Sequence, residues 1–330
     1  MSTPTAVVLR AIGLGDMLTG LPAMALLRRA LPEHYLVGAV PGRYAGLLLG
    51  AGLLDEVLPT ADLGPLGGAP RAPDVAVDLH GNRWPSRDPL QALQPRRLIG
   101  FVRPGDDVAP GLEASIWNDD EHEVARWCRL VAEHLPGGGE PPPVWSLLAA
   151  PPAVLPGATV LHPGAAAGSR RWPVERWAAV AGRLAADGHR IVVTGTPAER
   201  PLVEAVARPS GAEPATSLDV DELFGLVAAA RLVVSGDTGV AHVASAFGTP
   251  SVVLFGPVSP SRWGPPALPR HRALWPAPDP GYRGDPHGDR CDPVLLAISV
   301  ADVLGAVRHV LRAEAATPTT RHASADLDHR

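Results

Sequence analysis

One segment, RLVVSGDTGVAHVASAFGTPSVVLFGP from Arg231 to Pro257, restricts the fold more than any other. It reads as strand, tight polar loop, helix, turn and strand. Leu232, Val233 and Val234 form a short uncharged run, as expected of a strand buried on both faces. Ser235-Gly236-Asp237-Thr238-Gly239 breaks that run, and its glycines allow a positive φ or a close backbone approach. Val240 to Phe247 has helical spacing, and Gly248-Thr249-Pro250 ends it. Such a loop aims unpaired backbone N–H groups and the positive end of a helix dipole at one point, which makes an anion site. A phosphate, and hence a nucleotide-like ligand, is the expected occupant.

Strands and helices alternate on both sides of the chain. In the first half, Thr5–Leu9, Tyr35–Val40, Val75–Leu79 and Leu98–Val102 are expected strands, and Asp16–Ala30, Arg43–Leu49 and Glu121–His134 expected helices. The stretch from Leu135 to Ala158 is the densest in proline and glycine and reads as a connection between domains. The alternation then restarts. Thr159–His162, Arg190–Thr194 and Ser251–Phe255 are further expected strands. Val174–Asp187, Ala198–Ala207, Asp221–Ala230 and Val300–Ala313 are expected helices. Gly256 to Pro293 reads as a Pro/Gly-rich loop, and Glu314 to Arg330 as a polar, disordered tail. The pattern predicts an α/β fold of doubly wound parallel sheets: one domain over 1–150, a second over 151–313, and a ligand in the cleft between them.

Length and charge narrow the function. At 330 residues the chain is long for one core, and a net charge of −5 argues against a general nucleic-acid binder. All 29 basic residues are arginine, so any phosphate clamp uses arginine and a Schiff-base lysine is ruled out. Cys128 and Cys291 stand far apart, with no disulfide framework or zinc pattern, which favours a reducing cytosol. No signal-peptide pattern is visible, and no apolar run reaches the roughly 20 residues of a membrane span. The expected location is the cytoplasm, with peripheral contact at the membrane surface left open.

Four strand ends carry candidate sites. After the first strand, Gly13 and Gly15 allow a tight turn and Asp16 begins a helix. An N-cap aspartate explains this turn equally well; the functional alternative is a carboxylate that takes a proton from a hydroxyl nucleophile. The GxGxxG dinucleotide fingerprint fails here, because Leu18 stands where a third small residue is wanted. Next, His162-Pro163-Gly164 leads through small residues to Ser169, Arg170 and Arg171, where an arginine is able to hold a diphosphate or simply face solvent. Third, Glu199 in TGTPAER suits two ribose hydroxyls, or the helix dipole behind it. Fourth is the opening loop itself, with Asp237, Thr238, Gly239 and His242. The stretch DPHGDRCD, Asp285 to Asp292, collects Asp, His and Cys without a zinc spacing, so no metal is expected there.

Taken in order, GLGDMLTGLPAMALLRRALP, HPG followed by RRWPVERWAAVAGRL, VSGDTGVAHVASAFGTPSVVLFGP and SPSRWGP resemble glycosyltransferase family 9, the heptosyltransferase-like sugar transferases. The resemblance spans nearly the whole chain. It implies a GT-B architecture, two Rossmann-like domains facing across a cleft, and an inverting transfer that needs no metal or cofactor. The C-terminal domain would hold a nucleoside diphosphate sugar such as ADP-heptose, and the N-terminal domain a glycan or glycolipid acceptor. By the same resemblance Asp16 would be the general base, with Gly13 and Gly15 on the acceptor side. Arg171, in place of a family lysine, together with Glu199, Asp237, Thr238, Gly239 and His242, would bind the donor. A GT-B sugar-nucleotide epimerase and a non-catalytic sugar-nucleotide-binding protein remain alternatives on this architecture.

Overall fold

A computed structural model describes residues 3–316. The first lobe runs β1 (Thr5–Leu9), α1 (Leu14–Ala30), β2 (Tyr35–Val40), α2 (Ala45–Gly50), β3 (Glu56–Pro59), β4 (Val75–Asp78), α3 (Trp84–Gln91), β5 (Arg97–Val102), β6 (Leu112–Ile116) and α4 (Glu123–His134). The second runs β7 (Thr159–His162), α5 (Val174–Ala186), β8 (Ile191–Thr194), α6 (Arg200–Ala207), β9 (Glu213–Ala215), α7 (Val220–Ala228), β10 (Leu232–Gly236) and α8 (Gly239–Phe247). It continues through β11 (Ser251–Leu254), α9 (Pro260–Trp263), β12 (His271–Leu274), α10 (Pro293–Ala297) and α11 (Val300–Ala316).

Each lobe holds a six-stranded sheet, ordered β3-β2-β1-β4-β5-β6 in the first and β12-β11-β10-β7-β8-β9 in the second. Counted from its own first strand, the second sheet repeats the order of the first, and all pairings are parallel. The expected pair of doubly wound parallel sheets is present. The strand order reverses between β1 and β4 in one lobe and between β7 and β10 in the other. Ligands in such sheets sit beyond the carboxyl ends at that reversal. There Leu9 pairs with Asp78, and Ser235 with His162. The residues just past these pairs are therefore the ones positioned for chemistry.

Inner strands form where the sequence supplies uninterrupted apolar runs: VVL in β1, VAV in β4, IVV in β8 and LVV in β10 are buried on both faces. The core does not stop at the lobe boundary. Met17, Leu21 and Met24 of α1 join Trp127 and Val131 of α4 and Val240 and Val243 of α8 in one buried cluster. The Pro/Gly-rich connection packs against it through Val144, Leu147, Val154 and Leu155 rather than hanging free.

Two expectations need correction. The region 256–293 is not irregular throughout: α9 and β12 lie within it, and β12 completes the sheet edge. The last helix continues to Ala316, past the expected end at Ala313, because Ala-Glu-Ala-Ala extends a good helix-forming run. The rest of the expected tail, 317–330, lies outside the described residues.

Candidate active site between the lobes

Asp16 lies in the first turn of α1, whose N-cap is Gly13. That turn is held by Arg10, the first residue beyond β1 and completely buried. Arg10 Nε donates to the main-chain carbonyl of Asp16 at 2.7 Å, and Nη2 donates to the same oxygen. Nη1 donates to the carbonyl of Leu79 beyond β4, and Nη2 reaches Thr19 Oγ1 at 3.1 Å. Glu123 supplies a carboxylate at 3.9 Å, and the Trp127 indole lies 4.8 Å from the guanidinium carbon. Burial pushes the Asp16 carboxyl above its ordinary range; Arg10 opposes the rise, Glu123 adds to it, and Arg170 of the facing lobe opposes it. A half-buried carboxylate of raised basicity at the cleft is suited to accepting a proton.

The loop after β4 is organised by Asp78. Its Oδ1 accepts from the Gly81 N–H at 3.3 Å and the His80 N–H at 2.9 Å, and its Oδ2 from Ser86 Oγ at 2.6 Å. Arg87 approaches at 3.9 Å, yet complete burial still pushes the Asp78 carboxyl up to about 6. The acceptor-side strand ends are thus tied together by internal bonds. Beside them a cavity of about 490 Å³, lined by Ile12, Gly13, Pro41, Arg43 and Thr60, opens past β1, β2 and β3.

The second lobe offers a different surface. After β7 the turn Gly168–Arg170 brings Arg170 to the gap, where Nη1 donates to the Asp237 carbonyl at 3.4 Å. Asp237 is buried just past β10, and its carboxyl is pushed up to about 6 by that burial; Arg170 opposes the shift, and Asp16 across the gap adds to it. Asp16, Arg170 and Asp237 therefore converge from facing lobes. Around them Ser169 Oγ, Arg170 Nε and Thr238 Oγ1 are buried without a hydrogen-bond partner. Buried polar atoms are nearly always satisfied, so these three, grouped beside Asp237, are available to bond a ligand. Thr238 is also the N-cap of α8, and its side chain makes no capping bond.

Arg171, by contrast, is exposed and donates through Nε to the Ala165 carbonyl at 2.8 Å. The reason lies in its neighbour. Trp172 is buried and donates to the Ile298 carbonyl at 3.0 Å, and in extended backbone adjacent side chains point opposite ways. A buried tryptophan after the RR pair was the signal that the first arginine, not the second, faces the gap. Glu199 closes a capping box at the helix start, a role not expected from the sequence, its Oε2 accepting from the Thr196 N–H and hydroxyl, each at 2.9 Å. Its carboxylate also lies over Gly164, where a Cβ would overlap it, so it borders the end of β7.

Gly15 and Gly239 are where the lobes touch. A Cβ on Gly15 would come within 2.9 Å of the His242 ring, and one on Gly239 within 3.1 Å of Leu14. The first turns of α1 and α8, both positive helix ends, meet there. His242 is held neutral at physiological pH, its pKa pushed down to about 4 by burial and by His122, and its ring meets Trp263 edge-on at 5.8 Å. It lines an apolar cavity of about 380 Å³ with Leu18, Pro22, Cys128 and Trp145, so it brings no positive charge to an anion.

The stretch Asp285–Asp292 is built into the fold. Gly288 accepts from the Ser169 N–H at 2.8 Å, and the Asp292 N–H donates to Ser169 at 3.1 Å, bracing the turn that carries Arg170. Asp292 caps α10 and accepts from the Tyr282 hydroxyl at 2.9 Å. Among the described residues no three His, Cys, Asp or Glu side chains group as metal ligands. Arg283 pairs with Asp120 of the first lobe, and His122 Nε2 contacts the Gly264 carbonyl at 3.0 Å, so loops of both lobes meet at this rim.

Two Rossmann-like lobes of the same strand order, with charged groups converging in the gap between them, define the GT-B class of fold. Residues 117–277 match the model of glycosyltransferase family 9 (heptosyltransferase), so just under half of the chain is similar to that family. Lipopolysaccharide heptosyltransferase 2 of Escherichia coli is 31% identical over 106 residues, and lipopolysaccharide heptosyltransferase 1 is 31% identical over 93. These matches cover about 30% of this chain and of each relative's own length. The solved structure of E. coli ADP-heptose lps heptosyltransferase II aligns with a TM-score of 0.74 at 20% identity, covering 94% of this chain and 100% of that one. A glycosyl transferase family 9 structure from Veillonella parvula aligns equally, TM-score 0.74 at 17% identity over 94% of this chain and 98% of that one. At such identities the structural likeness establishes the fold.

Proposed function

We propose that this protein transfers a sugar, with inversion and without a metal ion, from a nucleoside diphosphate donor to a hydroxyl of a cell-surface glycan or glycolipid precursor. The convergence of Asp16, Arg170 and Asp237 across the gap, beside buried polar atoms lacking partners, carries this reading. Asp16 takes the proton of the acceptor hydroxyl as its oxygen attacks the anomeric carbon. The bond from that carbon to the diphosphate oxygen breaks, and the negative charge passes to the leaving group. Arg170, Thr238 and the N-terminus of α8 stabilise that charge, preorganised donors being worth most in a closed site. Glu199 beside Gly164 receives the ribose hydroxyls, and Asp237 faces the transferred sugar. The cavity past β1 to β3 takes the acceptor. The relatives' names supply the candidate donor, ADP-heptose, and the candidate acceptor, a lipopolysaccharide precursor. Among the described residues no helix is long and apolar enough to cross a membrane. We place the reaction in the cytoplasm, where nucleotide sugars are made, with the acceptor presented at the membrane face.

A thermal-shift panel of nucleoside diphosphates and their sugars, followed by transfer assays with and without chelator, tests the proposal. ADP and ADP-heptose should raise the melting temperature by mass action. Arg170→Ala should abolish most of that rise and slow transfer at least about tenfold, while Arg171→Ala leaves both near wild type. No shift with any nucleotide would end the donor assignment. Donor isomerised without acceptor would show an epimerase, and binding without turnover a binding protein.

A further inference from the structure

We propose that Arg10 is a positioning residue for Asp16: it clamps the turn that carries the base and, balanced by Glu123, sustains the base in its reactive ionised form. This rests on the reading of Asp16 as the base.

The geometry is more elaborate than folding requires. A residue leaving a buried central strand under a helix is ordinarily apolar. Here a fully buried guanidinium occupies that place, and it donates to main-chain carbonyls on two separate strand-end turns, Asp16 after β1 and Leu79 after β4. Helix α1 accommodates it with Gly20, where a Cβ would overlap the guanidinium, at a cost in helix propensity. Glu123 is itself fixed on both oxygens, accepting from Trp127 Nε1 at 2.6 Å and from Arg126. A buried ion network of this kind seldom adds stability over an apolar core, so its use lies elsewhere. The groups that act on Asp16 from each element around it are Arg10 beyond β1, Glu123 of α4, and Arg170 and Asp237 of the facing lobe. His242 of α8, beside Gly15, is neutral and adds no charge. Arg10 is the cation that acts on Asp16 from its own lobe.

Three variants separate positioning from mere structure: Arg10→Met, Arg10→Lys and Glu123→Gln. The readouts are kcat/KM for transfer against pH, KM for the donor, the melting temperature, and the carboxyl carbon-13 titration of Asp16, assigned against Asp16→Asn. Arg10→Met removes a cation, so Asp16 ionises at higher pH; the acid limb should move up, with about a tenfold loss at low pH that shrinks at high pH. Arg10→Lys should restore the limb while kcat stays several-fold low, since an ammonium does not span both carbonyls. Glu123→Gln should move the limb the other way. Donor KM should stay unchanged in all three. Limbs that coincide with wild type, with losses that follow melting temperature alone, would overturn the role. Should Arg10→Met not fold, the opposite shift in Glu123→Gln and the kcat loss in Arg10→Lys decide. Should the wild type transfer no sugar, the Asp16 assignment as base fails, while the carbon-13 titration still reports whether Arg10 and Glu123 govern its ionisation.

Discussion

The two lobes share a strand order and differ in how their strand ends are finished. In the first, polar groups past β1 and β4 are joined to one another: Arg10 to Asp16, Leu79 and Thr19, and Asp78 to His80, Gly81 and Ser86. In the second, the equivalent positions carry glycines and hydroxyls, and Ser169, Arg170 and Thr238 keep buried atoms without partners. The first end is bonded mostly to itself, His80 Nδ1 excepted; the second keeps three such atoms around Arg170 and Thr238. The same topology thus carries an internally bonded turn under Asp16 on one side and unpartnered polar groups on the other, so the loops and not the sheets make the difference.

Four measurements sharpen or break that contrast. Asp16→Asn should cost about 10²- to 10⁴-fold in transfer while ADP binding stays unchanged, as read by turnover and calorimetry. A loss of ADP affinity alongside would mean the lobes do not work separately. Asp78→Ala strips two N–H groups and Ser86 of their acceptor and should destabilise the protein by about 3 kcal/mol in denaturant melts. On the receptor side the sign reverses. The Asp237 carboxyl is raised to about 6 by burial, above the roughly 3.9 of an unfolded chain, so its contribution is favourable when protonated and is lost as pH climbs from about 4 through 6. Asp237→Asn should therefore stabilise the free protein by up to about 2 kcal/mol above that range and by little below it, while slowing transfer; pH-dependent calorimetry distinguishes this from a uniform effect. Smallest is Arg283→Ala. Its partner Asp120 is solvent-exposed, so the change should cost under about 1 kcal/mol and fade with salt.

Much of this architecture was legible in the residues. The apolar runs of the central strands and the helix-forming stretches between them announced two doubly wound halves. The strands that escaped notice were the outer ones: EVLP in β3, LEASI in β6, EPA in β9 and HRAL in β12. All four lie at sheet edges. Edge strands are short, tolerate charge and proline, and lack the double-sided burial that produces an apolar signature. The candidate site was legible where glycine and a helix start coincide, at Gly13–Asp16 and at Asp237–Gly239. It was not legible where contact runs between distant segments. Nothing local at Arg10 discloses that it meets Leu79 and Glu123, and nothing in DPHGDRCD discloses that it braces Ser169.

The glycine contact between α1 and α8 has a mechanical corollary. A bare backbone surface at Gly15 and Gly239 makes a fulcrum beside Asp16. Rotation about a fulcrum moves each point in proportion to its distance from the axis. A small swing of one lobe would sweep the outer rim at Arg283 and Asp120 through a wide arc, yet barely alter the spacing of Asp16 from Arg170. Any such turning would widen the gap by travel at the rim, while Asp16 and Arg170 near the axis kept their alignment.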